Sequence, residues 1–89
     1  MVNRSKLDVV KDILKVVQDN RNSIKKTPLL RKANLSTKRF NEYYFILLDK
    51  QLIKELETKG NVYVTLTDKG FKFLEKYSLI KDFLEEFEV

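Results

Sequence analysis

The stretch "KKTPLLRKANLSTKRFNEYY", from Lys25 to Tyr44, carries the signals of two helices joined by a tight turn. Thr27 followed by Pro28 is typical of a helix start, because a threonine hydroxyl caps free N–H groups and proline has no N–H to leave unpaired. The pattern therefore predicts a short helix over residues 28–33, with Thr27 as its cap.

The residues after this short helix predict a stop and a new start. Asn34 tolerates the left-handed conformation that ends many helices, and Ser36 is a preferred N-cap. A longer helix is predicted from about Thr37 to Lys50. Two helices joined this closely form a helix-turn-helix pattern, which is shared by many small helical domains.

The segment before this pair predicts another helix. Ser5 is expected to cap it, and it runs to about Asn20, where polar residues break the pattern. Its apolar residues recur at steps of three and four, which indicates one buried stripe. They are Leu7, Val10, Ile13, Leu14 and Val17.

The segment after the pair predicts a hairpin and a last helix. Residues 62–66 alternate between apolar and polar side chains, as a half-buried strand does, and residues 53–56 are expected to be the antiparallel partner. The "KGN" at 59–61 supplies the turn. Thr67 is expected to cap a helix over residues 68–86.

This order of elements predicts an α+β fold, mainly α, of the winged helix-turn-helix type. It has three helices, a two-stranded wing and a C-terminal dimerisation helix. With 89 residues there is little room for more than one domain. We expect a winged-helix DNA-binding domain over residues 1–67. The helix over residues 68–89 is expected to complete the core and form a dimer interface.

Charge is distributed unevenly along the chain. The net charge is +5, with +7 in the first fifty residues and −2 in the rest. Between Asn20 and Asn41 there are seven lysines and arginines and no acidic residue. An ordinary solvated face mixes both signs, so this run favours a surface that binds a polyanion. The seven are Arg21, Lys25, Lys26, Arg31, Lys32, Lys38 and Arg39.

The composition argues against several other functions. Without histidine or cysteine, the chain offers no zinc site and no histidine-based catalytic triad. Two glycines are too few for a phosphate-cradling loop. We therefore expect no enzyme activity, no cofactor and no small-molecule ligand.

The hydropathy pattern predicts the cellular location of the protein. No apolar run approaches the roughly 18 residues that span a bilayer, so no membrane contact is expected. The first ten residues are polar and periodic, unlike a signal peptide. We expect a soluble protein of the host cytoplasm or nucleoid.

Three phrases resemble a known family: "KTPLLRKANLS", "YYFILLDKQLI" and "VTLTDKGFKFLEKY". They are similar to those of small archaeal winged-helix DNA-binding proteins, which include coiled-coil-dimer chromatin proteins and regulators encoded by archaeal viruses and plasmids. The resemblance covers residues 5–77. It departs at Val64, where the family often has tyrosine, and in a shorter last helix. It implies a winged helix that binds double-stranded DNA as a dimer.

The longer helix of the pair is expected to enter the major groove. Its core stripe is predicted to contain Phe40, Tyr43, Tyr44 and Leu47, which leaves Lys38, Arg39, Asn41, Glu42 and Phe45 outside it. Lys38 is suited to guanine or a phosphate, Asn41 to adenine, and Glu42 to cytosine N4 or to repelling phosphate. The contact partner of Phe45 is left open between a thymine methyl group, the wing and a second subunit.

The other basic and hydroxyl residues suit the phosphate backbone. Those around the helix pair are Lys25, Lys26, Arg31, Lys32, Ser36 and Thr37. At the tip of the hairpin, Lys59 and Asn61 flank Gly60 and are placed to enter the minor groove or lie on the backbone.

The last helix carries an apolar seam. Phe73, Tyr77, Ile80, Leu84 and Phe87 are spaced as in a heptad repeat, which predicts a homodimer interface. Leu79 and Phe83 form a second edge, and Phe71 and Leu74 are expected in the domain's own core. The alternative is that this helix packs back onto the first helix of its own chain.

Together these features predict a homodimeric, sequence-specific transcriptional regulator. One alternative is an architectural chromatin protein with little sequence preference. Another is a winged helix used only for protein–protein contact, with the basic face serving an acidic partner.

Overall fold

The computed structural model describes residues 5–87, and the outermost residues of the predicted domains 1–67 and 68–89 lie outside that range. The elements follow in the order α1 (Lys6–Asp19), β1 (Ile24–Lys25), α2 (Lys26–Ala33), α3 (Thr37–Asp49), β2 (Ile53–Thr58), β3 (Asn61–Leu66) and α4 (Asp68–Glu86). This is a winged helix, which confirms the predicted fold class.

Three helix starts follow the predicted capping chemistry. The Ser5 hydroxyl accepts a hydrogen bond from the Asp8 N–H at 3.1 Å, and the Asp8 carboxylate accepts from the Ser5 N–H at 3.3 Å. Ser36 and Thr67 accept in the same way from N–H groups three residues ahead. Each hydroxyl satisfies a backbone donor that has no partner inside the helix.

The predicted cap at Thr27 is wrong. The second helix begins at Lys26, with Lys25 as its N-cap and no capping bond from a side chain. Residues 24–25 are paired in β1, so the chain passes directly from a strand into α2. The end of this helix is as predicted, because Asn34 adopts a left-handed conformation at φ 57°.

The sheet has three antiparallel strands in the order β1-β3-β2, one more than predicted. The added strand is β1, in which Ile24 lies opposite Val64. β2 pairs with β3 over six residues each, from Ile53 opposite Leu66 to the turn. Two residues are too few to show strand alternation, so β1 left no signal in the sequence.

Two residues, Lys59 and Gly60, connect β2 to β3 at the tip of the wing. Both have positive φ, 52° and 80°, as a type I′ hairpin turn requires. The turn twists in the same sense as the strands, which keeps the two wing strands paired to their ends.

The core lies between the helices and one face of the sheet. Its largest fully buried side chains come from α1, α2, α3, β2 and β3 and are Phe40, Ile13, Leu14, Leu29, Leu47, Ile53, Val9, Val17 and Val64. Phe73 and Leu74 of α4 pack against this cluster. The sequence placed Phe73 in the dimer seam, whereas the structure places it against its own domain.

α4 packs against α1 through its first half. Tyr77 donates a hydrogen bond to the Asp8 carboxylate at 2.6 Å, and Asp8 lies in the first turn of α1. Phe71, expected in the core, is 38% exposed. Among the described residues, no helix is both long enough and apolar enough to cross a membrane.

Candidate nucleic-acid interface

α3 presents one polar face to solvent. Phe40, Tyr44 and Leu47 are buried, which fixes the orientation of the helix. The opposite side then carries exposed Lys38, Asn41, Glu42, Phe45 and Asp49. These positions lie on one face because residues three and four apart are neighbours on a helix. Phe45 is 70% exposed and stands near the centre of this surface, which we call the outer face of α3.

Tyr44 links α3 to its neighbours on the buried side. Its hydroxyl donates a 2.5 Å hydrogen bond to the Glu55 carboxylate on β2, and the Lys26 ammonium lies 4.6 Å from the centre of its ring. Burial, followed by the bond to Glu55, raises the pKa of Tyr44, so the phenol stays protonated. α2, α3 and the wing are therefore connected through one side chain.

No pattern in the sequence predicts this link. Tyr44 was expected only in the core stripe, and Glu55 lies eleven residues further along, on a strand whose other side chains are mostly exposed. The contact depends on how α3 lies across the sheet, which local spacing does not define.

The basic residues around the helix pair are exposed and carry charge that is not neutralised nearby. Within residues 5–87, none of the seven between Asn20 and Asn41 lies within salt-bridge distance of a carboxylate. Several have neutral neighbours instead: Lys25 over the Tyr63 ring, Lys32 near the Asn20 amide oxygen, and Arg39 over the Tyr43 ring. These contacts order the side chains and leave their positive charge available to an anion.

The start of α3 carries two of the hydroxyl residues that were predicted to bind phosphate. Ser36 uses its oxygen to accept from the Arg39 N–H at 3.2 Å, which leaves its own hydroxyl hydrogen to donate elsewhere. Thr37 is exposed at the first helical position. The positive end of the helix dipole favours an anion there.

The wing tip is the third part of the predicted surface. Lys59 and Asn61 are exposed on either side of Gly60. They stand at the far end of β2 from buried Ile53, about 17 Å away at the usual rise per residue. β2 itself carries Lys54, Glu55 and Glu57, so the wing is less positive than the helix pair.

The C-terminal half of α4 has an exposed apolar surface. Its side chains are 43–62% exposed and are Leu79, Ile80, Phe83, Leu84 and Phe87, which we call the apolar end of α4. The rings of Phe83 and Phe87 contact each other, with centroids 4.8 Å apart. The predicted seam is thus divided, because Phe73 and Tyr77 contact their own chain while the later residues face solvent.

Comparison with known proteins places the chain among winged helices. The family model described as winged helix-turn-helix matches residues 3–85. An uncharacterized protein of Methanocaldococcus jannaschii is 40% identical over 75 residues, which are 84% of this chain and 33% of that protein. The chain therefore spans about a third of the length of the curated relative that it matches.

Two solved structures share the fold. One is "F93 from STIV, a winged-helix DNA-binding protein", with a TM-score of 0.71, 23% identity and 92% of each chain covered. The other is Sso10a-2, a DNA-binding protein from Sulfolobus solfataricus, with a TM-score of 0.70 and 16% identity, covering 96% of this chain and 90% of that one. At these identities the likeness concerns the fold.

Proposed function

This chain belongs to the winged helix-turn-helix family, and we propose that it is a homodimeric, sequence-specific transcriptional regulator that binds double-stranded DNA. The observation that carries the proposal is the exposed outer face of α3 beside seven basic residues with no acidic partner in the described chain. A duplex supplies the missing negative charge as a regular array of phosphates. The two solved structures with this fold are both named as DNA-binding proteins.

In the proposed complex, the outer face of α3 enters the major groove. An α-helix fits there, and each base pair presents a distinct pattern of donors and acceptors. Lys38, Asn41 and Glu42 occupy the first two turns of α3, where winged and helix-turn-helix proteins read bases. These three are the proposed base-contacting residues.

The remaining basic residues hold the protein on the backbone. Lys25 and Lys26 at the start of α2, with Arg31 and Lys32 at its end, bind phosphates. Ser36, Thr37 and Arg39 do so at the start of α3, and Lys59 and Asn61 do so at the wing tip. Such contacts position the protein without reading sequence, so the function is one of binding and requires no catalysis or cofactor.

The proposed dimer forms through the apolar end of α4. Exposed apolar clusters of this kind mark interaction sites, and twofold dimers are the commonest oligomers. A second copy would cover Ile80, Leu84 and Phe87, together with Leu79 and Phe83. Phe73 and Tyr77 are excluded from the revised interface because they contact their own chain. The twofold symmetry of two copies would match a palindromic DNA site. The proposed location is the cytoplasm or nucleoid.

Four alanine variants test which residues contact bases and which contact phosphates. Lys38→Ala and Asn41→Ala should reduce discrimination between a selected duplex and random duplex, by about 1–3 kcal/mol where a bidentate base contact is lost. Lys25→Ala and Lys26→Ala should weaken both duplexes equally. Lys76→Ala on exposed α4 is the matched control and should change neither affinity.

The same titrations discriminate between the rival functions. If all four variants weaken every duplex equally, the protein is an architectural DNA-binding protein. If the wild-type protein binds no duplex at low salt, the basic surface serves an acidic protein partner instead.

A further inference from the structure

Phe45 is the most exposed of the large apolar side chains in the described part of the chain. It lies in the middle of the outer face of α3, one turn after Asn41 and Glu42, so these three side chains are neighbours on the helix surface. A phenylalanine ring left in water has apolar surface that only a partner can cover. The question is which partner that is.

Phe45 is 70% exposed, so its own chain covers little of the ring. Among residues 5–87, no aromatic ring and no cation is paired with Phe45. The aromatic residues that build the core, Phe40 and Tyr44, pack with each other on the opposite side at 5.6 Å between centroids. The wing is bonded to that buried side, through Glu55. Contact between Phe45 and its own wing therefore does not account for its position.

The proposed dimer surface does not account for it either. That surface is the apolar end of α4, and α4 packs on α1 and β3. Phe45 belongs to a different helix and is surrounded there by polar and charged residues, namely Lys38, Asn41, Glu42 and Asp49. An isolated aromatic residue in a polar face is suited to one small apolar group rather than to a second hydrophobic surface.

We propose that Phe45 contacts the 5-methyl group of a thymine in the major groove and so makes the protein select that base. The inference rests on the proposed function, in which the outer face of α3 enters the groove. Thymine is the base that presents a methyl group there, and an aromatic ring has no hydrogen bond to offer the polar edges of the other bases. Phe45 is thus a specificity-determining residue.

The helix geometry predicts where the thymine lies. Phe45 is one turn, about 6 Å along the axis, from Asn41. Successive base pairs are spaced by about 3.4 Å. The thymine should therefore lie within about two base pairs of the adenine proposed for Asn41, on the side read by the later part of α3.

The test uses a duplex selected from a random pool by the wild-type protein. Each thymine is replaced singly by uracil, which removes the methyl group and leaves the hydrogen-bonding groups unchanged. One position per half-site should lose affinity about four-fold, which corresponds to about 0.8 kcal/mol for one methyl-sized group. Cytosine at that position should regain affinity when it is methylated at C5.

Variants of the protein assign the effect to one side chain. Phe45→Ala should weaken the thymine duplex and abolish the difference between thymine and uracil, while Phe45→Leu should keep a reduced difference. Phe71→Ala makes the same substitution on α4 and should leave the difference intact. Because Phe45 is exposed, its variants should retain the wild-type circular dichroism spectrum.

The outcomes distinguish a failure of the role proposed for Phe45 from a failure of the proposed function. If the selected duplex binds but no uracil changes its affinity, the role of Phe45 is wrong and the proposed function stands. If the thymine preference survives in Phe45→Ala, another residue reads the methyl group and the inference is likewise overturned. If no duplex binds at low salt, the proposed function fails and this inference fails with it.

Discussion

Gly70 lies in the first turn of α4, where the helix approaches the chain that leaves α3. A Cβ atom at this position would collide with the carbonyl oxygen of Leu52. That oxygen also accepts a hydrogen bond from the Thr67 N–H at 3.2 Å, so it is held in place. Here glycine is required by close packing and not by a special backbone angle, and the start of α4 can dock only because the side chain is absent.

Substitution at Gly70 should therefore destabilise the fold. Gly70→Ala is expected to cost about 1–3 kcal/mol, as overpacking does, measured as the free energy of unfolding in urea. Lys69→Ala, next to it on the exposed side, should change that free energy by less than about 0.5 kcal/mol. Equal stability of the two variants would show that α4 does not pack this closely.

Local chemistry accounts for most of what could be predicted residue by residue. Ser36 and Thr67 cap helices, and Asn34 ends one, because each side chain or backbone preference acts within three or four residues. The prediction that Thr27 caps α2 was wrong because a competing interaction, the pairing of Lys25 with Tyr63, places the start of the helix earlier. That pairing joins residues 38 positions apart, and no local rule anticipates it.

At the scale of elements, the contact between α1 and α4 divides the predicted seam. Heptad spacing correctly places the seam residues on one side of a helix, but it does not tell how far a neighbouring helix covers that side. Tyr77 meets Asp8 in the first turn of α1. Beyond it, α4 continues for nine residues, about 14 Å, which is where the apolar end becomes exposed.

The Asp8–Tyr77 hydrogen bond predicts a pH dependence of stability. The bond raises the pKa of Tyr77 from 10.0 to about 12, and together with the bonds from Ser5 it lowers the pKa of Asp8 below 3.8. An unfolded chain loses the tyrosine proton first, so raising the pH from about 10 to 12 favours unfolding. In acid the unfolded carboxylate gains its proton first, so falling below about pH 4 also favours unfolding.

Tyr77→Phe isolates this contribution because it removes only the hydroxyl. The wild-type melting temperature should exceed that of the variant between pH 5 and 9, and the difference should shrink above about pH 10 and below about pH 4. Thermal unfolding across this range measures it. A difference that stays constant up to pH 12 would mean that the bond does not form.

At the scale of the whole molecule, two separate surfaces have different proposed functions. In the proposed assembly, the basic helix pair binds DNA and the apolar end of α4 packs against a second copy. Composition alone indicated a polyanion-binding surface, because seven basic residues without an acid are visible in the sequence. It did not show which apolar residues of α4 are left uncovered, because that depends on where α1 begins.

The dimer is tested by placing a charge in the apolar end of α4. Leu84→Lys should keep the fold, because Leu84 is exposed in the single chain. It should sediment as a monomer, because the lysine removes the apolar burial that Leu84 would contribute to the dimer. Asp82→Lys introduces a lysine on the opposite side of the helix and should remain dimeric. Wild-type protein that sediments as a monomer at micromolar concentrations would refute the homodimer.

The central claim is that the surface of α2 and α3 binds duplex DNA through basic residues that have no acidic partner among residues 5–87. The most direct measurement is the affinity for one duplex as a function of salt concentration. The logarithm of the affinity should fall linearly with the logarithm of salt, by about 0.9 for each phosphate contact, and replacing Lys25 and Lys26 together by alanine should reduce that slope by about 2 per bound chain. A slope near zero, or a slope unchanged in the double variant, would contradict the account.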